Sequence, residues 1–241
     1  MAIELPGELV WVMNLLGLNW PQANEDKVRE FGGHIRDFGR NLDGVHQSVT
    51  DTVQQIGQHY QADSYEQLLA NWSRMSNDHM RELVEVCEIA AVAMEVAADG
   101  IIAAKLSVIT ELGIMAAEFV ADQAAAVVTL GAAEAAEVLL VEATKKIVNA
   151  LLKQLEQQLI SQLMDATLGP LEAAVERAIS GLVFKGVEAA LSGSSGGGAG
   201  SGYMIHPEEL MGHSATLAGH AETLSGHAET FLSATEGFSF T

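Results

Sequence analysis

Three observations predict an all-α fold for this chain. Apolar residues recur three and four positions apart over long stretches of the 241 residues. No segment sustains a period-two alternation, and the only prolines are Pro6, Pro21, Pro170 and Pro207. Spacings of three and four stack side chains on one face of a 3.6-residue helix, whereas a half-buried strand needs alternation. The expected architecture is an elongated antiparallel helical hairpin, additional Ala-rich helices that pack with it as a bundle, and a short C-terminal heptad helix.

The first hairpin helix is predicted from Glu25 to Tyr60, where Val28, Phe31, Ile35, Phe38, Leu42, Val45, Val49, Val53, Ile56 and Tyr60 form one stripe. Asn24 is its expected N-cap, and Glu25 and Asp26 in the first turn complement the exposed amides and the positive end of the helix dipole. Glycines at 32, 33, 39, 44 and 57 lower its intrinsic helix preference by up to about 1 kcal/mol each at exposed positions, so tertiary packing must hold it. After a break at Gln61 to Ser64, a second stripe runs through Tyr65, Leu68, Trp72, Met75, His79, Leu83, Val86, Ala90 and Ala93, giving the antiparallel partner. Asp99-Gly100 reads as a turn or kink. Ala-rich helices follow from Ile101 to about Leu130 and from about Ala132 to Leu168, with Gly131 between them. Gly169-Pro170 ends the second of these, because proline lacks the amide and restrains its predecessor, and a shorter helix is expected from Leu171 to Leu191.

Ser192 to Gly202 reads SGSSGGGAGSG, which has no apolar anchor and reads as a flexible linker. It divides the chain into a helical domain, residues 1–191, and an acidic tail, residues 203–241. The tail has no Lys or Arg and repeats every seven residues as LMGHSAT, LAGHAET and LSGHAET. Leu210, Leu217, Leu224 and Phe231 form its expected seam, flanked by Ser214, Ala221 and Ala228. A helix this short and glycine-containing needs a partner helix to be stable.

Composition narrows the function. Apolar residues make up 49% of the chain and charged residues 18%, which supports a packed core. With 32 acidic against 12 basic residues the formal charge is −20, which opposes binding to nucleic acid or anionic lipid surfaces. The single cysteine, Cys87, excludes an intramolecular disulfide framework and a thiolate-only metal cage. Glu4 and Glu8 stand where a general secretory signal would carry Lys or Arg. In the apolar region from Val86 to Val141 the longest charge-free run, Gln123 to Ala133, is eleven residues, about half of what a spanning helix needs.

The side chains offer little chemistry. His213, His220 and His227 lie seven apart, about 10.5 Å along a helix, too far for one metal to bridge two of them in one chain. They read as polar positions on a half-buried face, a parallel dimer with paired histidines being the lesser alternative. His34, His46, His59 and His79 have no metal-ligand spacing, and Cys87 sits among apolar neighbours that suppress its nucleophilicity. No P-loop, GxSxG or dinucleotide fingerprint occurs, so no enzyme activity, cofactor or metal is expected. Aromatic residues, by contrast, concentrate before residue 73, as Trp11, Trp20, Phe31, Phe38, Tyr60, Tyr65 and Trp72. They are expected to form the hairpin core, with part of their surface open to a partner helix.

At Trp20-Pro21-Gln22-Ala23-Asn24-Glu25-Asp26, preceded by Trp11 and Leu15-Leu16-Gly17, the sequence resembles the WXG-like N-terminal domain of actinobacterial polymorphic toxins, substrates of type VII (ESX) secretion. The resemblance covers about residues 5–191. It implies a signature at Trp20, Pro21, Glu25 and Asp26, a hairpin turn and recognition region at Tyr60, Ala62, Tyr65 and Trp72, and a Lys before an apolar stretch at Lys105 to Ile109. Tyr60 and Ala62 replace the Trp and Gly of the plain Trp-x-Gly turn, which places the likeness with the divergent toxin-associated branch. The tail from Met204 resembles the start of a second secretion-associated helical module. No Tyr-x-x-x-Asp/Glu tetrad is present, since Tyr60, Tyr65 and Tyr203 are followed four residues later by Ser64, Leu69 and Pro207.

The resemblance implies a non-enzymatic module that targets or presents a toxin-type cargo for export. It implies recognition of a small WXG-type partner or a second copy, and of the type VII translocon ATPase. The module would be cytoplasmic before export and secreted or in the cell envelope afterwards. The alternative is a membrane-active, channel-forming domain built from helices 101–168. It would have to place Glu111, Glu118, Asp122, Glu134, Glu137 and Glu142 in hydrocarbon or along a water-filled lumen.

Overall fold

The computed structural model describes residues 2–61, 63–76, 80–126, 133–163 and 204–240. A single 3-10 turn, Gly7–Leu9, leads into α1 (Val10–Leu16), followed by α2 (Glu25–His59), α3 (Asp63–Met75), α4 (Arg81–Ala126), α5 (Ala133–Leu163) and α6 (Pro207–Thr235). The fold is all-α. Among the described residues, the strand pairing is a two-residue antiparallel one of β1 (Tyr60–Gln61) with β2 (Met204–Ile205), in register Tyr60↔Ile205 and Gln61↔Met204. The expected helix at 171–191, the linker at 192–202, His79, Ala62 and Gly131 lie outside the described residues.

The described chain divides into two compact units. The first comprises Met1–Glu30, Ala93–Asp165 and Ser239–Thr241, the second Phe31–Val92 and Ala166–Phe238, so α2 and α4 contribute to both. In the first unit, Val12, Met13 and Leu16 of α1 meet Val108, Leu112 and Met115 of α4 and Val148 of α5 in one buried cluster. Helix α1 ends at Gly17, whose φ of +63° is left-handed; its amide donates to the Asn14 carbonyl and that of Leu18 to the Met13 carbonyl. Only glycine adopts this conformation without strain, so the Leu15-Leu16-Gly17 sequence stops the helix there.

One expectation is corrected in this unit. Helix α4 runs through Asp99-Gly100 without a turn. Ala97, Ala98 and Ile101 are buried around that dipeptide, and Asp99 accepts from Arg29 of α2 at 2.6 Å, so packing overrides the local preference of glycine for a break.

In the second unit α2 and the α3–α4 segment run antiparallel. Arg36 bonds Glu88, His46 meets Ser76, and Trp72 reaches Thr50, with one partner number falling as the other rises. Ile35, Leu42, Val45, Val53 and Ile56 of α2, and Val86, Cys87 and Ala90 of α4, are buried here. Gly39 permits a close approach of α2 to α4, since a Cβ at this position would lie 2.8 Å from the Cβ of Cys87. Gly39→Val is therefore expected to destabilise this unit by about 1–3 kcal/mol through overpacking, measured by urea unfolding.

Cys87 is 1% exposed, and burial pushes its thiol up to about 11 from an ordinary value of 9.0. A rise of that size reduces the thiolate fraction about a hundredfold at pH 8. The folded chain is accordingly expected to react with an aromatic disulfide reagent at least about a hundredfold more slowly than the unfolded chain.

Candidate functional site

Of the four residues expected as a signature, Glu25 forms a buried latch in the first unit, whereas Trp20, Pro21 and Asp26 are half-buried. Asn24 caps α2 with its side-chain oxygen, which accepts from the Lys27 amide at 3.1 Å, while its own amide donates to the Phe240 carbonyl at 2.7 Å. One turn of cap brings Glu25 to the inner face of α2, where its side chain is 1% exposed. There its Oε2 accepts from Lys105 Nζ of α4 at 2.7 Å, and its Oε1 accepts from the Ile3 amide. Lys105, itself 3% exposed, also donates to the Ile3 carbonyl at 3.1 Å. Its ammonium lies 6.0 Å from the centre of the Trp20 ring, at the outer limit of a cation–π contact.

Burial opposes ionisation of Glu25. Hydrogen bonds from Lys105 and from the backbone amides of Ile3 and Glu25, together with the lysine's charge, outweigh that opposition and hold the carboxyl below its ordinary value of 4.5. Glu25 thus ties three pieces of chain together: the N-terminal segment, the start of α2 and the middle of α4. Asp26 lies in the first turn of α2, where a carboxylate favours the helix N-terminus.

The resemblance singled out Lys105, but the sequence reading did not pair it with Glu25. A signal existed, because Lys105 is the only basic residue between Arg81 and Lys145, set within the most apolar part of the chain. A buried cation in such a place requires a buried anion.

The second unit contains the residues expected at the end of the hairpin. Trp72 donates from Nε1 to Thr50 Oγ1 at 3.0 Å, and that hydroxyl donates in turn to the His46 carbonyl at 2.8 Å. The His46 ring lies 5.5 Å from that of Trp72 and its Nε2 is 2.6 Å from Ser76 Oγ. Tyr60 meets Ser64 through its hydroxyl. The Tyr65 ring occupies the space a Cβ at Gly57 would need, which explains the glycine at that point of α2. Helix α3 buries none of its residues fully, and Leu68 and Leu69 are 42% and 38% exposed. The end of the hairpin therefore offers a solvent-facing apolar surface beside fixed aromatic rings.

The tail seam also lies in the second unit and faces α2 of the same chain. Phe231 stacks on Phe38 with ring centres 4.8 Å apart, and Phe238 packs edge-on against Phe31 at 5.2 Å. Leu210, Leu217 and Leu224 are half-buried along the same face. Of the expected flanking positions Ala228 is half-buried, but Ser214 and Ala221 are exposed, and His213, His220 and His227 are half-buried beside the leucines. Their i+3 spacing from leucine fits the d position of a heptad when leucine occupies a. His220 touches Thr52, and His213 and His206 lie 5.6 and 6.1 Å from the His59 ring. The histidines thus serve as seam residues. Among the described residues, no group of three or more His, Cys, Asp or Glu side chains is placed to hold a metal ion.

These features define a helical-hairpin module whose distinctive residues build a latch and an exposed tip. The sequence of residues 2–147 matches the WXG100 like domain family, and the chain belongs to that family, a group of helical proteins associated with type VII secretion. The match contains the Glu25–Lys105 latch and the whole hairpin tip. No curated protein and no solved structure matches the chain. No described helix is long and apolar enough to cross a membrane.

Proposed function

We propose that this chain is a non-enzymatic module that targets or presents a toxin-type cargo for type VII export by recognising a partner and the translocon. The observation that carries the reading is the WXG100-like match over residues 2–147, joined to a hairpin whose tip exposes Leu68 and Leu69 beside Tyr60, Tyr65 and Trp72. The translocon ATPase docks on this tip. A small WXG-type helical partner, or a second copy, covers the outward face of α4 in the first unit, where Val96, Leu106, Ile114 and Val120 are 60%, 49%, 48% and 64% exposed. The segment at 192–202 links this helical domain to the tail, whose own resemblance is to a second secretion-associated module. The chain is cytoplasmic until export and acts outside the cell or in its envelope. The toxin-associated branch is supported by Tyr60 and Ala62 at the positions of the plain Trp-x-Gly turn.

Direct binding tests the tip. The full chain is titrated against the purified ATPase, alone and with a WXG-type partner, and compared with a Leu68→Glu/Leu69→Glu variant. Both substituted side chains are exposed, so helical content is expected to be unchanged while affinity falls at least about tenfold. Equal binding by the variant would remove the tip from the recognition surface.

A further inference from the structure

Within the second unit the tail lies antiparallel to α2 and is fixed to it at both ends. At the hairpin turn β2 pairs with β1, and the His206 amide donates to the His59 carbonyl at 3.1 Å. At the far end Phe231 stacks on Phe38, and Phe238 packs against Phe31 and the His34 ring. Between these anchors an open gap of about 350 Å³ separates Arg40, Asn41 and Ser48 of α2 from His220, Thr223 and His227 of α6. We propose that α6 is a detachable cover, occupying in cis a face of α2 that an outside amphipathic helix with a leucine–phenylalanine seam takes when the tail is released.

Three observations make the docked tail marginal. Helix α6 buries none of its residues fully, and Leu210, Leu217, Leu224 and Phe231 are only half-buried. His213 Nε2 is buried without a hydrogen-bond partner, a desolvation cost that release of the helix removes. Gly212, Gly219 and Gly226 are exposed, none has a positive φ, and nothing lies within 4 Å of a Cβ built on any of them. Neither a close approach nor a special backbone conformation therefore calls for glycine at this recurring heptad position. Each glycine weakens the helix relative to alanine, so the repeat keeps α6 less stable than its packing would allow. The glycine- and serine-rich sequence from Ser192 to Gly202 lets the tail leave while it stays tethered.

The tail itself shows what the face accepts: an antiparallel helix with an apolar residue every seventh position and an aromatic ring over Phe38. An outside helix must compete with a tail held nearby at an effective concentration in the millimolar range. Its apparent affinity is lowered by the fraction of chains whose tail is released. Cover and face both belong to this chain, so the competition holds whether or not the chain is exported.

The test titrates the full chain into a fluorescein-labelled synthetic peptide of residues 203–241 and follows its anisotropy. Phe231→Ala in the chain loosens the tail and should tighten peptide binding at least about tenfold over the unmodified chain. Adding Gly212→Ala, Gly219→Ala and Gly226→Ala to that variant strengthens α6 and should weaken peptide binding again, at least about fivefold. Adding Phe38→Ala instead should abolish the gain, because the peptide's phenylalanine loses its stacking partner. In the unmodified chain, amides of α6 should exchange with deuterium at least about tenfold faster than those of α2 between Ile35 and Ile56. The proposal is overturned if Phe231→Ala binds the peptide no tighter than the unmodified chain, if the glycine replacements leave that binding unchanged, or if Phe38→Ala does. It is equally overturned if α6 exchanges as slowly as α2, or if the unmodified chain forms dimers that Phe231→Ala dissolves, which would place the tail on a second copy.

Discussion

Glu25→Gln is expected to destabilise the chain by about 3–5 kcal/mol, because it leaves the Lys105 ammonium buried without a counter-charge. The glutamine keeps the shape of the side chain and one hydrogen bond, so the loss reports the charge and not the packing. Lys105→Met should be comparably damaging for the converse reason, a carboxylate without its cation. Replacing both residues, as Glu25→Leu with Lys105→Met, should recover much of the loss, since a buried ion pair is often matched by apolar groups of similar size. Urea unfolding followed by tryptophan fluorescence, with Trp20 beside the pair, measures all three. Equal, small effects for the single variants would mean that the pair is hydrated and not a latch.

The same latch gives a pH dependence with a defined sign. The folded-state pKa of Glu25 lies below its unfolded value, so its contribution is complete above the unfolded value of about 4.5 and is lost as pH falls through the lower folded value. The chain should therefore unfold more readily in acid below about pH 4, and Glu25→Gln should flatten that part of the profile. A variant with the same acid slope as the unmodified chain would assign the slope to other carboxylates.

Leu112→Ala carries the second large effect, a loss of about 2–5 kcal/mol. Leu112 is fully buried, at 0% exposure, in the cluster where α1, α4 and α5 converge. Its neighbours there include Leu16 and Val148, each 1% exposed or less, so the cavity left by truncation has little flexible material to close it. Ile114→Ala, two residues along the same helix at 48% exposure, should change stability by less than about 1 kcal/mol. The contrast between these two truncations tests the orientation of α4. If the exposed residue were the more damaging, the assigned face would be wrong.

Periodicity made the helices readable and left their partners obscure. The stripe from Val28 to Ile56 is the buried face of α2, and Asn24-Glu25-Asp26 marks its start through local backbone chemistry, whereas the seven-residue α1 with its stop at Gly17 is too short to show a stripe. Asp99-Gly100 misled because dipeptide preference is worth about 1 kcal/mol, whereas the buried Ala97, Ala98 and Ile101 draw on packing from elsewhere in the chain. The Glu25–Lys105 bond joins residues eighty positions apart, and no local rule links them. The tail's Leu register was visible, but His213, His220 and His227 line the seam where Ser214 and Ala221 were expected, Ala228 alone of the expected flanks being half-buried. An imidazole can sit half-buried while keeping polar contacts with Thr52 and its ring against His59, a possibility that hydrophobic patterning does not register.

Export of the full chain from an actinobacterial host is the most direct test of the central claim, that this WXG100-like chain is a type VII secretion module. The epitope-tagged chain is co-expressed with a WXG-type partner, and supernatant and lysate are compared with the translocon ATPase active or deleted. The expected result is appearance outside the cell only when the ATPase is active, with a cytosolic marker retained. Retention in both strains, or equal release from both, would contradict it.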